Sequence, residues 1–141
     1  DGLIIAKAAV QRLSIKDDFR EFSVQEMVPA PCQGVIAIEK LKNRESLNGI
    51  CSLINHIETF EIAMIERKIS SKLGGGCTSP VGCLVEKYDD CIKINVFISD
   101  IEGENQIFDS IEGQYSDKDL LISALLKKIE TKGLKKILKN G

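Results

Sequence analysis

The stretch CIKINVFIS, residues 91–99, decides the fold class of this chain. Its branched apolar residues occupy every second position, and this period of two is typical of a β-strand with one buried face. Turn residues bound the stretch on both sides, YDD at 88–90 and EGEN at 102–105. We therefore predict a three-stranded antiparallel meander whose outer strands are Val81–Glu86 and Gln106–Glu112.

Segments with helical periodicity flank the predicted sheet. One helix is predicted to begin near Thr59 and to end at Gly74, a residue that suits the left-handed position after a helix. The pair Ser116-x-x-Asp119 resembles a capping box and is predicted to open another helix. The order helix, strand, strand, strand, helix over residues 55–141 predicts an α+β domain with helices on one face of the sheet.

The first 54 residues are less regular. Three elements are predicted there: a buried strand at Gly2–Ala6 running into a helix, a strand at Val35–Glu39, and a helix from Ser46 to about Asn55. A buried strand needs neighbouring strands, and few candidates follow the first one. We therefore expect the chain to be the latter part of something longer, with residues 1–54 as a partial α/β remnant.

Composition limits the classes of partner. The 141 residues are 43% hydrophobic and 28% charged, and the net charge is −2, so no basic surface favours nucleic acid or an anionic membrane. No apolar run approaches the roughly 20 residues that span a bilayer. We expect a protein that binds neither nucleic acid nor membrane.

The cysteines favour free thiols. Their number is odd, and no stretch of the sequence has the pattern of a secretion signal, so we expect a reducing, cytoplasmic environment. They lack the short C-x2-C spacing of structural zinc sites, and His56 is the single histidine, so no metal is expected. The five are Cys32, Cys51, Cys77, Cys83 and Cys91.

The segment LGGGCTSP, residues 73–80, places Cys77 after three glycines. Such a loop exposes a side chain and lets backbone approach a ligand. A thiol enzyme needs a base, and His56 stands at the far end of a helix that spans about 20 Å. Two interpretations stay open: a thiol that is alkylated once and then anchors a group, and a structural or redox-sensing cysteine in a non-enzymatic α+β module.

Three blocks of the sequence resemble the porphobilinogen deaminase (hydroxymethylbilane synthase) family. They occur in the family's order as DGLIIAKAAVQRL at 1–13, MVPAPCQGVIAIE at 27–39 and ERKISSKLGGGCTSPVGCLVE at 66–86. The resemblance implies a transferase of tetrapyrrole (haem) biosynthesis that joins four porphobilinogen units on a cysteine-linked dipyrromethane primer. The product of that reaction is hydroxymethylbilane.

The resemblance implies roles for individual residues. Cys77 matches the cysteine that holds the dipyrromethane cofactor through a thioether, and Gly75 and Gly76 would give this anchor freedom to move. Arg12 matches an arginine of the active cleft, where a guanidinium suits the acetate and propionate groups of porphobilinogen. Gln33 with its following glycine, and the backbone of Ala6, match positions near the cofactor.

The resemblance also implies what is absent. Residues 1–54 would be the end of the family's second domain and the crossover to the first, and residues 55–141 its cofactor-carrying third domain. The catalytic aspartate belongs to an N-terminal half that this sequence lacks, so we expect this part to be inactive alone and the complete enzyme to be a monomer. Cys32 and Ala9 replace glycines of the family pattern. Apolar surface at Ile4, Ile5 and Val35 is expected to be exposed.

Overall fold

The structure is a computed structural model that describes residues 2–16, 18–74 and 80–139. Single 3-10 turns lie at Glu45–Leu47 and Tyr115–Asp117. The elements, in chain order, are α1 (Lys7–Arg12), α2 (Asn48–Ile54), α3 (Ile57–Lys72), β1 (Val81–Tyr88), β2 (Cys91–Ser99), β3 (Gln106–Gln114), α4 (Lys118–Thr131) and α5 (Leu134–Lys139).

The three strands form one antiparallel sheet in the order β1-β2-β3, which confirms the predicted meander and the α+β class. The central strand β2 pairs with β1 from Tyr88↔Cys91 to Val81↔Ile98. Its other edge pairs with β3 from Cys91↔Gln114 to Ser99↔Gln106. Both outer strands extend two residues beyond their predicted C-terminal ends, because the hairpin ladders continue to the turns.

One face of the sheet forms the core with α3, α4 and α5. The alternating residues of β2 are completely buried there, as the period of two predicts. Helix α3 packs on β1 and α4 packs on β3, so the helices cover both halves of the same face. The core side chains with almost no exposure include Ile69, Leu73, Cys83, Ile92, Ile94, Val96, Ile98, Leu125 and Ile129.

The ends of the helices follow local backbone chemistry. Gly74 has φ +76° directly after α3, which confirms the predicted left-handed helix stop. The capping box predicted at Ser116 is wrong. Tyr115 donates its N–H to the carbonyl of Asp90 and opens a 3-10 turn, so Ser116 lies inside that turn and Asp117 takes the N-cap position of α4.

The first 54 residues contain helices but, within their described part, no strand. The strands predicted at Gly2–Ala6 and Val35–Glu39 are absent from the described chain, where neither segment has a partner strand; for the first this agrees with the expectation that its neighbours lie in the rest of a longer protein. The expected exposure of apolar side chains is confirmed, with Ile4 65%, Ile5 45% and Val35 39% exposed.

Helix α2 is shorter than predicted and does not contribute to the core. It begins at Asn48, since residues 45–47 form the 3-10 turn, and the cap predicted at Ser46 is absent. Its apolar side chains Ile50 and Ile54 are more than half exposed. The amphipathic pattern of this helix is therefore not satisfied within the described chain.

Candidate functional site

Cys77, Gly75 and Gly76 lie outside the described residues, in the connection between α3 and β1. The structure describes both ends of that connection. On one side Leu73 is fully buried and donates its N–H to the carbonyl of Ile69. On the other side the carbonyl of Pro80 accepts the N–H of Ser99 at 3.1 Å, which pins the start of β1 to the end of β2. Leu73 before the connection and Val81 after it are both buried.

The outer edge of β1, which does not pair with β2, is contacted by the segment around Pro29 and by the side chain of Glu66. The N–H of Cys83 donates to the carbonyl of Pro29 at 2.9 Å. The next outward N–H along the strand, that of Val85, donates to the side-chain oxygen Oε1 of Glu66 at 2.9 Å. The other oxygen of Glu66 accepts the N–H of Cys32 at 2.6 Å.

A tight turn follows at residues 30–35. The N–H of Gln33 donates to the carbonyl of Ala30, and the N–H of Ala30 donates back to Oε1 of Gln33, both at 3.0 Å. The N–H of Val35 then donates to the carbonyl of Cys32 at 3.1 Å. The Gln33 side-chain carbonyl thus closes its own turn, and its predicted contact with the cofactor stays a prediction.

Cys32 occupies a backbone position that favours glycine. Its φ is +61°, in the left-handed region, and that of Gly34 is +84°. The glycine that the resemblance implies at this position would adopt this conformation without strain. The thiol also lies against α3, where Sγ donates to the carbonyl of Ala63 at 3.5 Å.

Helix α1 presents the predicted substrate residue to solvent. Arg12 lies in its last turn and is exposed, and no carboxylate of the described chain lies within 4.0 Å of its guanidinium. Ala6 is the N-cap of the same helix, and its carbonyl accepts the N–H groups of Ala9 and Val10. No hydrogen bond or ion pair of the described residues joins Arg12 or Ala6 to the turn at Gln33.

Two of the described cysteines, Cys83 and Cys32, lie in environments that differ from that of an exposed nucleophile. Cys83 is 1% exposed in the core, where burial and the nearby Glu66 carboxylate raise its pKa far above the usual value. Burial and Glu66 also raise the pKa of Cys32. A raised pKa lowers the thiolate fraction, so neither sulfur is suited to attack an electrophile at neutral pH.

An apolar groove of about 670 Å³ opens beside the turn, between the extended segment 35–38, α2 and α3. Its walls include Ile36, Cys51, Phe60 and Met64, and Arg67 adds one positive charge. Sequence patterns did not predict this groove, because its walls come from three separate segments.

His56 lies at the groove's edge, where its Nδ1 accepts the N–H of Thr59 at 3.3 Å. It is the N-cap of α3, which confirms its assignment to a helix end. Within the ranges that the structure describes, no three His, Cys, Asp or Glu side chains cluster as a metal site would require. None of the helices in those ranges has the length and apolar character needed to cross a bilayer.

Sequence comparison identifies relatives of the chain in one family. The family model described as "Porphobilinogen deaminase, dipyromethane cofactor binding domain" matches residues 1–49. The model described as "Porphobilinogen deaminase, C-terminal domain" matches residues 60–136, which is more than half of the chain. Cys77 lies in the second range, and Ala6, Arg12 and Gln33 lie in the first.

Individual relatives have the same name. A probable porphobilinogen deaminase of Thermoplasma volcanium is 32% identical over 130 residues, which cover 92% of this chain and 43% of the relative. A porphobilinogen deaminase of Caldicellulosiruptor saccharolyticus is 39% identical over 124 residues, which cover 87% of this chain and 41% of the relative. The chain thus spans less than half the length of the curated relatives it matches.

Proposed function

Because the chain belongs to the porphobilinogen deaminase family, we propose that it is the C-terminal part of a hydroxymethylbilane synthase whose cofactor is anchored at Cys77. The observation that supports this most directly is the match of the C-terminal domain model over residues 60–136, which contain the GGGC motif. The complete protein would join four porphobilinogen units to a dipyrromethane primer and release hydroxymethylbilane in the cytoplasm.

The glycine-rich sequence before Cys77 suits an anchor that forms one bond and keeps it. The Cys77 sulfur would bond to the methylene carbon of porphobilinogen while the bond from that carbon to the amino nitrogen breaks. Ammonia then leaves with the thiol proton, so no oxidant or reductant is needed. The described thiols Cys83 and Cys32 are poor alternatives, since burial raises the pKa of both.

We propose that some of the described residues form part of the cofactor site. Dipyrromethane presents carboxylate side chains, and the exposed guanidinium of Arg12 has no carboxylate partner in the described chain. When bound, the cofactor supplies the free pyrrole end to which each new unit is added. Arg12 would orient a carboxylate of the substrate or cofactor, and the turn at Gln33 would form part of the wall.

The remainder of the site would come from the rest of the protein. The aspartate that assists proton transfer in the family has no match here, so residues 1–141 alone are expected to lack turnover. The exposed apolar residues of α2 and of segment 35–38 support a packing partner at this surface. We propose that the N-terminal half of the same enzyme covers them, and that the complete enzyme is a monomer.

Intact mass spectrometry of the full-length protein tests the anchor. We expect a dipyrromethane adduct on the wild type and on the half-buried control Cys51→Ser, and none on Cys77→Ser, because a serine hydroxyl is a much weaker nucleophile at neutral pH. Cys77→Ser should change the free energy of unfolding by no more than about 1 kcal/mol. An adduct that persists in Cys77→Ser, or a wild type without adduct and without turnover, would contradict the proposal.

A further inference from the structure

The sheet has two edges, and contacts other than strand pairing occupy both of them. Strand β1 forms the first edge, where the N–H of Cys83 donates to the carbonyl of Pro29 and the N–H of Val85 donates to Glu66. Strand β3 forms the second edge, and no strand of the described chain pairs with its outer side. An edge strand of this kind presents backbone N–H and C=O groups that a strand of another molecule can bind.

The register of the sheet identifies the residues of β3 whose backbone groups point outwards. Cys83 directs its N–H away from β2 and lies opposite Val96. Because the direction of these groups alternates in an antiparallel sheet, Val96 directs its own towards β3, where it lies opposite Asp109. The backbone of Asp109 therefore points inwards, and the backbone groups of its neighbours Phe108 and Ser110 point outwards.

One ion pair binds both of these outward residues. The Nζ atom of Lys132 donates to the carbonyl of Phe108 at 3.3 Å. The Oδ1 atom of Asp109 accepts the N–H of Ser110 at 2.8 Å, and its Oδ2 atom lies 2.8 Å from Nζ of Lys132. The ion pair therefore occupies one backbone acceptor and one backbone donor near the middle of β3.

A second copy of β3 is the partner that such an edge fits. Two identical edge strands can pair antiparallel about a twofold axis, because each then offers the other the same backbone donors and acceptors. This pairing would close as a dimer with one continuous sheet. Since Cys83 and Val85 of the β1 edge already have partners, growth of the assembly beyond a dimer is disfavoured.

We propose that the ion pair between Lys132 and Asp109 prevents this protein from dimerising through the outer edge of β3. The ammonium group binds the carbonyl that a second strand would need, and the carboxylate binds the neighbouring N–H. A lysine at a strand edge also opposes pairing because its charge would lose hydration against another strand. The inference goes beyond the proposed function, since it does not depend on Cys77 or on a cofactor.

The test measures the mass of the full-length protein by sedimentation velocity at increasing protein concentration. The edge variant, Asp109→Ala with Lys132→Met, frees both outward groups. We expect its average mass to rise towards that of a dimer as concentration increases, while the mass of the wild type stays constant. Adding Ser110→Pro removes the outward N–H without removing a bond between β2 and β3, so this addition should restore the wild-type mass.

Two control variants separate exposure of the edge from loss of stability. Asp119→Ala with Lys68→Met removes an ion pair whose atoms are 2.6 Å apart and which joins α4 to α3 rather than to a strand. Ile122→Val weakens the core beneath α4 and leaves the edge contacts in place. If the edge variant does not fold, Lys132→Met alone replaces it, because this change still frees the carbonyl of Phe108.

The outcomes are distinct. Dimers formed by the edge variant alone, and lost on addition of Ser110→Pro, support the inference. An edge variant that keeps the wild-type mass, dimers that persist with Ser110→Pro, or equal association of either control variant would overturn it. The anchor at Cys77 is tested by a separate measurement, so none of these results alters the standing of the proposed function.

Discussion

The backbone of Val28 lies directly over the α-carbon of Gly82. A Cβ built on Gly82 would be 2.6 Å from the carbonyl oxygen of Val28 and 2.9 Å from its Cβ. Only a residue without a side chain lets the segment at Val28 approach β1 so closely. The approach allows the next residue, Pro29, to accept the N–H of Cys83.

Gly82→Ala is therefore expected to destabilise the protein by about 1–3 kcal/mol, because the clash involves backbone that cannot rotate away. Chemical denaturation measures the loss. Gly49→Ala is the matched control: it lies in α2 with nothing within 4 Å of an added Cβ, and there alanine should stabilise by about 0.5–1 kcal/mol. Equal effects of the two substitutions would show that the contact with Val28 is unimportant.

Cys32 provides a test of backbone strain. With φ at +61°, Cys32→Ala retains a Cβ in the left-handed region, whereas Cys32→Gly removes it. We expect the glycine variant to be more stable than the alanine variant by about 1 kcal/mol, since this conformation costs roughly that much for residues with a Cβ. Denaturation curves of both variants give the difference. An alanine variant that is the more stable of the two would contradict the assignment of strain.

The ion pair between Lys132, the C-cap residue of α4, and Asp109 of β3 predicts a dependence of stability on pH. Burial acts to raise the pKa of Asp109, but hydrogen bonds from Lys132 and from the backbone N–H of Ser110, together with the charges of Lys132 and Lys128, outweigh it and hold the pKa below the usual value. The side-chain atoms are 2.8 Å apart, and Asp109 is 12% exposed. A lowered folded-state pKa stabilises the protein above the unfolded pKa of about 4 and ceases to do so as pH falls through the folded value.

Lys132→Met should accordingly lower stability by about 1 kcal/mol at pH 7. The difference from the wild type should shrink below pH 4, once Asp109 is protonated in both proteins. Melting temperatures of the two proteins between pH 7 and pH 2.5 measure this. If the difference in melting temperature between the two proteins stayed constant from pH 7 to pH 2.5, Asp109 would contribute nothing to that difference.

His56 is expected to stabilise α3 and to have no part in chemistry. His56→Asn retains an acceptor for the N–H of Thr59, whereas His56→Ala removes it, so only the alanine variant should lose about 1 kcal/mol. Turnover of the full-length protein should be the same in both. A loss of turnover in His56→Asn with unchanged stability would reveal a role that this geometry does not predict.

The sheet and its helices were predictable because their signals are local. The alternation in β2, the turn at residues 88–90 and the helix stop at Gly74 each depend on a few neighbouring residues, and the structure has all of them. The predicted strands at 2–6 and 35–39 failed for the opposite reason. A strand exists only where another strand pairs with it, and apolar character alone does not supply the partner.

The sequence by itself determined the α+β class, the family motifs and the identity of Cys77 as the residue to test. Its glycines and prolines marked the turns, since glycine adopts positive φ without strain and proline fixes φ, and both effects are local to one residue. Only the tertiary structure decided how the turn at Cys32 is positioned against strand β1. That arrangement depends on Val28 lying over Gly82 and on one buried carboxylate reaching both Cys32 and Val85. Contacts between residues so far apart in sequence have no local signal, because they arise only when α3 and β1 pack together in the core.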